Sequence, residues 1–386
     1  MSDISNSISH RININEEKSF LNNINKIKII RDKTLFKEYK KTEFKELDYI
    51  YLAKILAVFS VVILHTNGRF WFFKYKYYKI YWISANSIES IFFIAVPIFF
   101  LCIGATLLDF NERYGLKKYY HRRFIKVVVP LLLWNILSYC YRVYFLKNLK
   151  KQNLNFISIW NLYYTHKINA IFFSFHQFLF VYLVIPLIAY VNKSAKIKIY
   201  SQCFITLFLT QSLIPYLISL FCPKLIWIYS INLKYIIYLF PGYIIQNYKF
   251  SKALQYIIYI LGLIGFFLHL YGTKVLTLKY KKIIMIHKGY YNIPCILYSC
   301  SAFLFIKEYS YYIFKYIDRK YIKKIGSLTI GPFFIHILLI DTIRKYFYFN
   351  DYSFYYRFFG GIFVCIISLI ITAIMKNIPL LNYLVP

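Results

Sequence analysis

IFFIAVPIFFLCIGATLL, residues Ile91–Leu108, is a run of eighteen residues without one charged side chain. It comes close to the roughly 20 apolar residues that cross a hydrocarbon core as a helix. Phe204–Phe221 and Ile257–Leu270 are runs of the same kind. A bilayer interior offers no water to backbone N–H and C=O groups, so each group must be satisfied within its own segment, and such runs read as helices. Composition agrees. Of 386 residues 59% are hydrophobic and the mean hydropathy is +0.49, whereas a soluble domain is about 45–50% apolar. The reading is an all-α, polytopic integral membrane helical bundle.

Working outward from that run, we read about ten spans, near 49–67, 89–109, 124–146, 170–190, 200–221, 226–246, 253–272, 289–307, 326–347 and 356–376. Residues 1–45 are polar and rich in Lys, Asn and Ile, without the early apolar core of a secretory signal. They form a tail, and 46–386 form one membrane domain opened by a start-transfer helix. The densest basic flanks are Lys117, Lys118, Arg122, Arg123 and Arg319, Lys320, Lys323, Lys324. By the rule that positive loops stay inside, they place the tail and the C-terminus in the cytoplasm.

The net charge of +33 raises the question of nucleic acid. The basic residues lie between apolar runs rather than on one face. Lys, Asn, Ile, Tyr and Phe are inflated together, as an AT-biased coding sequence produces. We read no nucleic-acid partner, and charges that orient the chain and meet anionic lipid instead. Seven cysteines, mostly inside apolar runs and never as CxxC, make neither a disulfide framework nor a metal site. No metal is expected. Nothing in the sequence specifies an oligomeric state.

Polar groups at membrane depth are expensive, which makes each one a functional candidate. In the first span, Lys54 and His65 stand eleven residues apart. That is nearly three turns, so both share a helix face about 16 Å apart. A cation can hold a phosphate. An imidazole, with its pKa near working pH, can take a proton from an attacking hydroxyl. The competing reading is a snorkelling Lys and a His bonded to a neighbouring helix. Ahead of the third span, Arg122, Arg123 and Lys126 gather as a second cationic group able to bind phosphate oxygens. An ordinary positive flank is its rival. Asn67, His176 and His336 are weaker candidates for holding substrate.

Four segments together resemble the membrane acyltransferase-3 family, the bacterial glycan O-acyltransferases, over roughly 45–376. Lys54, Ala57 and His65 look like its Arg/Lys-to-His first helix. Val96 to Ala105 resembles its VPxFFxxSG stretch. Arg123, Lys126 and Pro130 resemble its RxxR-then-Pro signature, with Lys for the second Arg. Gly326 to His336 resembles its late Ser-Thr-Gly-to-His helix, and Phe175 to Leu179 is a weaker echo of an HLWFL segment.

The resemblance implies an integral-membrane O-acyltransferase of the bacterial inner membrane. It would move acetyl, or another short acyl group, from cytoplasmic acetyl-CoA to a hydroxyl of a surface polysaccharide or lipid-linked sugar. His65 would be catalytic, Arg122, Arg123 and Lys126 would meet the coenzyme A phosphates, and Lys54 would line the donor path. The partners would then be lipid and the glycan acceptor. A transporter or flippase of lipid-linked sugars is the alternative; such carriers often repeat one half in the other, and no repeat is visible. A glycan polymerase would want a larger outer loop.

Overall fold

The computed structural model describes residues 47–73, 79–147, 173–221, 235–347 and 350–386. The expected tail 1–45 lies outside them. From Ile50 to Pro386 the described residues form one compact unit, and among them every regular element is helical.

α1 is Asp48–Thr66. α2 (Lys79–Phe92) and α3 (Ala95–Leu107) make the next span. α4 (Leu116–Arg123) runs through a π-helical turn at Phe124–Val128 into α5 (Val129–Cys140). α6 (Phe173–Ala189) precedes α7 (Lys196–Phe208) and α8 (Ile214–Phe221). α9 (Leu239–Asn247), α10 (Lys252–Phe267) and α11 (Thr273–Tyr280) follow. The long α12 (Ile293–Tyr316), then α13 (Arg319–Ser327), α14 (Ile330–Tyr346) and α15 (Gly361–Asn377), complete the chain.

Among the described residues six helical stretches are long and apolar enough to cross a membrane, seven if the bent pair α13–α14 counts as one. This corrects the expected ten, and the shortfall has physical causes. The fully described part of α6, Gln177–Ala189, is short of a span, and α9 has only nine residues. α12 carries Lys307 and Glu308, which dilute its hydropathy. Parts of the expected spans 170–190 and 226–246 fall outside the described residues. The outward faces remain apolar: Ile257, Ile260, Ile264 and Phe267 on α10, and Phe363, Ile366, Ile370 and Ile374 on α15, are all exposed. They recur every three or four residues and cover one helix side, a surface suited to lipid. The chain is a multi-pass membrane protein.

Several prolines sit where a helix can take them. Pro97, Pro294 and Pro332 each lie in the first turn of a helix, where the missing N–H has no partner to lose. Pro130 follows the π-helical turn at 124–128. Its ring would strike the carbonyl of Lys126 in a continuous α-helix, and the wider turn relieves that clash.

α3 is the central element, with nearly all its side chains buried. It crosses α9 backbone against backbone: a Cβ on Gly104 would run into the carbonyl of Leu239, and one on Gly242 into that of Leu101. Small residues let membrane helices approach this closely. α1, α14 and α15 share a second core of Val62, Ile337, Ile340, Val364 and Cys365. The sequence predicted one span over 326–347. The chain instead bends by 59° between α13 and α14, and Pro332 lies in the first turn of the new helix.

Candidate active site

The two histidines of the first and fourth motifs meet. The rings of His65 and His336 are 5.2 Å apart, centroid to centroid, with planes tilted by 40°. His336 is fully buried. Its Nδ1 lies 2.7 Å from the carbonyl of Pro332. A carbonyl only accepts, so Nδ1 carries the proton and Nε2 keeps its lone pair. That Nε2 is buried and has no partner among the described residues. His65 keeps part of its surface accessible. The ring separation leaves room for an N–H···N hydrogen bond between the two imidazoles.

The other end of α1 is cationic. The charges of Arg123, Arg122, Lys376 and Lys54 all act on Lys126, so the four predicted cations form one neighbourhood, joined by Lys376. Arg122 and Lys126 are exposed, and Lys54 and Arg123 are half-buried. Arg123 packs over the rings of Tyr182 at 5.4 Å and Tyr119 at 5.9 Å, yet its Nε is buried without a hydrogen bond among the described residues. An orphaned guanidinium N–H suits a phosphate oxygen. Lys54 sits 5.7 Å from the Tyr51 ring.

The fourth motif runs alongside α1 from one end to the other. Gly326 abuts Tyr51, near Lys54, and His336 abuts His65. The second motif joins them. The charge of Lys54 reaches Cys102, and Phe99 meets Phe333 edge-on at 5.7 Å. Phe178, from the weaker echo, stacks on Phe100 at 4.6 Å. His176 falls in α6, with its side chain outside the described part. On the α1 face between Lys54 and His65, Val58 and Val61 are 1% and 3% exposed. Any ligand arm passing along that face must part them.

Asn67 is not open to a ligand. Its Nδ2 donates to the carbonyl of Ala85 at 2.8 Å and to Glu89 at 3.2 Å, and its Oδ1 accepts from Arg357 at 3.3 Å. It ties the end of α1 to a buried network that sequence reasoning missed. Within this network Lys288 donates to Asn86 at 2.9 Å and Ser90 at 3.1 Å, close enough to Glu89 for their charges to interact. Burial pulls the Lys288 ammonium below its ordinary value, and the Glu89 carboxylate pushes it back up. His269, assigned no role from sequence, is buried nearby against Phe93, with both ring nitrogens unpartnered among the described residues. Glu89 carried a signal that could have found it: it is the one charged residue between Ile80 and Leu108. Asp341 pairs with Arg142, not with His336.

Among the described residues no three His, Cys, Asp or Glu side chains converge as a metal-holding group. Residues 47–375 match a protein family described as an acyltransferase domain. No curated protein and no solved structure matches the chain.

Proposed function

The chain belongs to the acyltransferase-3 family and is an acyltransferase, and from that premise we propose that it moves an acetyl or other short acyl group from cytoplasmic acyl-CoA to a hydroxyl of a surface polysaccharide or lipid-linked glycan. One observation carries the reading. An imidazole pair, His65 and the buried His336, stands at one end of α1, and a cluster of cations stands at the other.

The cations Lys54, Arg122, Arg123 and Lys126, with Lys376 beside them, hold the coenzyme A phosphates. Arg123 offers its unpaired Nε. Lys at 54 and 126 supplies charge without the bidentate fork of Arg, so Arg123 sets the orientation. The acyl arm passes between α1 and the 326–336 segment, displacing Val58 and Val61.

His65 takes the proton from the attacking hydroxyl as its oxygen bonds to the thioester carbonyl carbon. The carbon–sulfur bond then breaks, and His65 returns the proton to the departing sulfur, so coenzyme A leaves as the free thiol. His336 acts through His65. Its Nε2 accepts from the imidazolium that forms on His65 and holds that ring in place. Asn67 anchors the end of α1, and His176 remains a candidate for the acceptor side. The protein sits in the bacterial inner membrane with its N-terminus in the cytoplasm.

Deleting the gene is expected to remove base-labile acetate from the surface glycan. Reintroducing the wild type restores it, and His65→Ala at equal membrane abundance does not. Full restoration by His65→Ala would overturn the catalytic assignment.

A further inference from the structure

Beyond α1 the chain turns through Gly68–Trp71, at the end of the bundle opposite Lys54. There Arg69 reaches Asp351, with Nη2 at 3.0 Å and Nε at 3.2 Å from Oδ2. Arg344, in the last turn of α14, approaches the other oxygen only loosely, with Nε at 3.7 Å from Oδ1. That Oδ1 is buried and accepts no hydrogen bond among the described residues. Two guanidinium groups therefore share one carboxylate, and only one of them holds it with hydrogen-bond geometry. A tie between two loops needs a single arginine; the second also hydrogen-bonds the Tyr356 side chain and, with five N–H groups, keeps further donors.

The place is accessible. The side chains of Arg69 and Arg344 are 33% and 35% exposed, against 13% for Asp351. Arg69 lies 4.9 Å from the Tyr352 ring and 5.5 Å from the Phe72 ring. Trp71 and Phe72 turn outward beside it, 51% and 60% exposed. Arg344 overhangs Gly68, its Nη2 3.7 Å from where a Cβ would stand, three residues from His65. Its charge acts on the His65 ring. Two part-exposed guanidinium groups and exposed aromatic rings thus lie near the imidazole end of α1.

We infer that Arg344 and Arg69 bind an anionic group of the acceptor, the carboxylate of an acidic sugar or the phosphate of a sugar phosphate, and so set its neighbouring hydroxyl at His65. Guanidinium forks match both oxyanions in a bidentate way, and the exposed rings offer apolar faces to the sugar. Asp351 keeps the two arginines parted and in place. The acceptor anion takes the donors of Arg344 that Asp351 leaves loose. The inference rests on the acyl-transfer reading, because it assigns the acceptor of that same site.

The test uses the purified full-length protein in nanodiscs and isothermal titration calorimetry with three probes: trigalacturonate, glucose 1-phosphate and neutral maltotriose. At least one acidic probe is expected to bind about tenfold or more tighter than maltotriose. Trigalacturonate alone names a carboxylate, and glucose 1-phosphate alone a phosphate. Arg344→Gln should erase the preference, Arg344→Lys should restore part of it, and Asp351→Asn should strengthen it. Equal binding of acidic and neutral probes, binding of none, or a preference that survives Arg344→Gln overturns the inference. His65-dependent breakdown of acetyl-CoA, followed in the same preparation, reports separately on the acyl-transfer reading. If that breakdown persists while the preference is absent, only the anion site falls.

Discussion

Replacing His336 with Phe separates the work of the imidazole pair from its packing. The side chain is fully buried, and Phe keeps a flat ring in the space while removing both nitrogens. The lost Nδ1 bond to the Pro332 carbonyl, 2.7 Å in the wild type, costs stability on the order of 1 kcal/mol. The lost Nε2 matters only when His65 is charged, as it becomes in the transition state. A hydrogen bond to a charged group contributes roughly 1.5–3 kcal/mol. At about 1.4 kcal/mol per tenfold, kcat should fall about 10- to 150-fold. The cations at the other end of α1 are untouched, so the KM for acetyl-CoA should stay within about twofold. Steady-state kinetics with labelled acetyl-CoA and the cell's own glycan reads both constants. A kcat within twofold of wild type, in protein that folds normally, would refute the coupling of the two rings.

Gly104→Ala should destabilise the bundle by about 1–3 kcal/mol or more, because its methyl group meets the Leu239 carbonyl and neither backbone can yield. Thermal unfolding in detergent checks this against Gly115→Ala, which has open space around it. Glu89→Gln and Lys288→Met each remove one of two buried groups whose charges interact and should each destabilise the bundle, with the double variant costing less than the sum of the singles. Additive losses in that cycle would show that the two charges do not support each other. Val61→Phe, on the packed face between Lys54 and His65, should abolish transfer while leaving acetyl-CoA binding unchanged. Normal turnover would place the acyl path elsewhere. Arg123→Gln combined with Lys126→Gln should raise the KM for acetyl-CoA at least tenfold with little change in kcat; an unchanged KM removes the phosphate site.

The apolar runs made the helical bundle readable, because lipid leaves the backbone no other choice. The spacing of Lys54 and His65 was readable for the same reason: a helix is rigid enough that eleven residues fix a face and a distance. The bend before Ile330 left no sign of its place in the apolar pattern, since Pro332 can sit in the first turn of a helix as readily as kink one. What sequence could not reveal were groupings made across long separations. The charge of Glu89 acts on Lys288, Arg69 pairs with Asp351, and the charge of Lys376 acts on Lys126, each pair far apart along the chain. His269 was passed over because a lone histidine near a span end carries no local sign of its burial. Glu89 was the exception: its charge inside an apolar run marked it as a residue that needed a partner.

The central claim is that His65 drives acyl transfer from a donor held by the cations at the far end of α1. Its most direct test is a single-turnover assay with purified protein in liposomes, labelled acetyl-CoA on one face and acceptor glycan on the other. Wild type is expected to place label on the glycan as a base-labile ester. His65→Ala should bind acetyl-CoA as tightly as wild type and transfer none of it. Label reaching the glycan at the wild-type rate in His65→Ala would contradict the account.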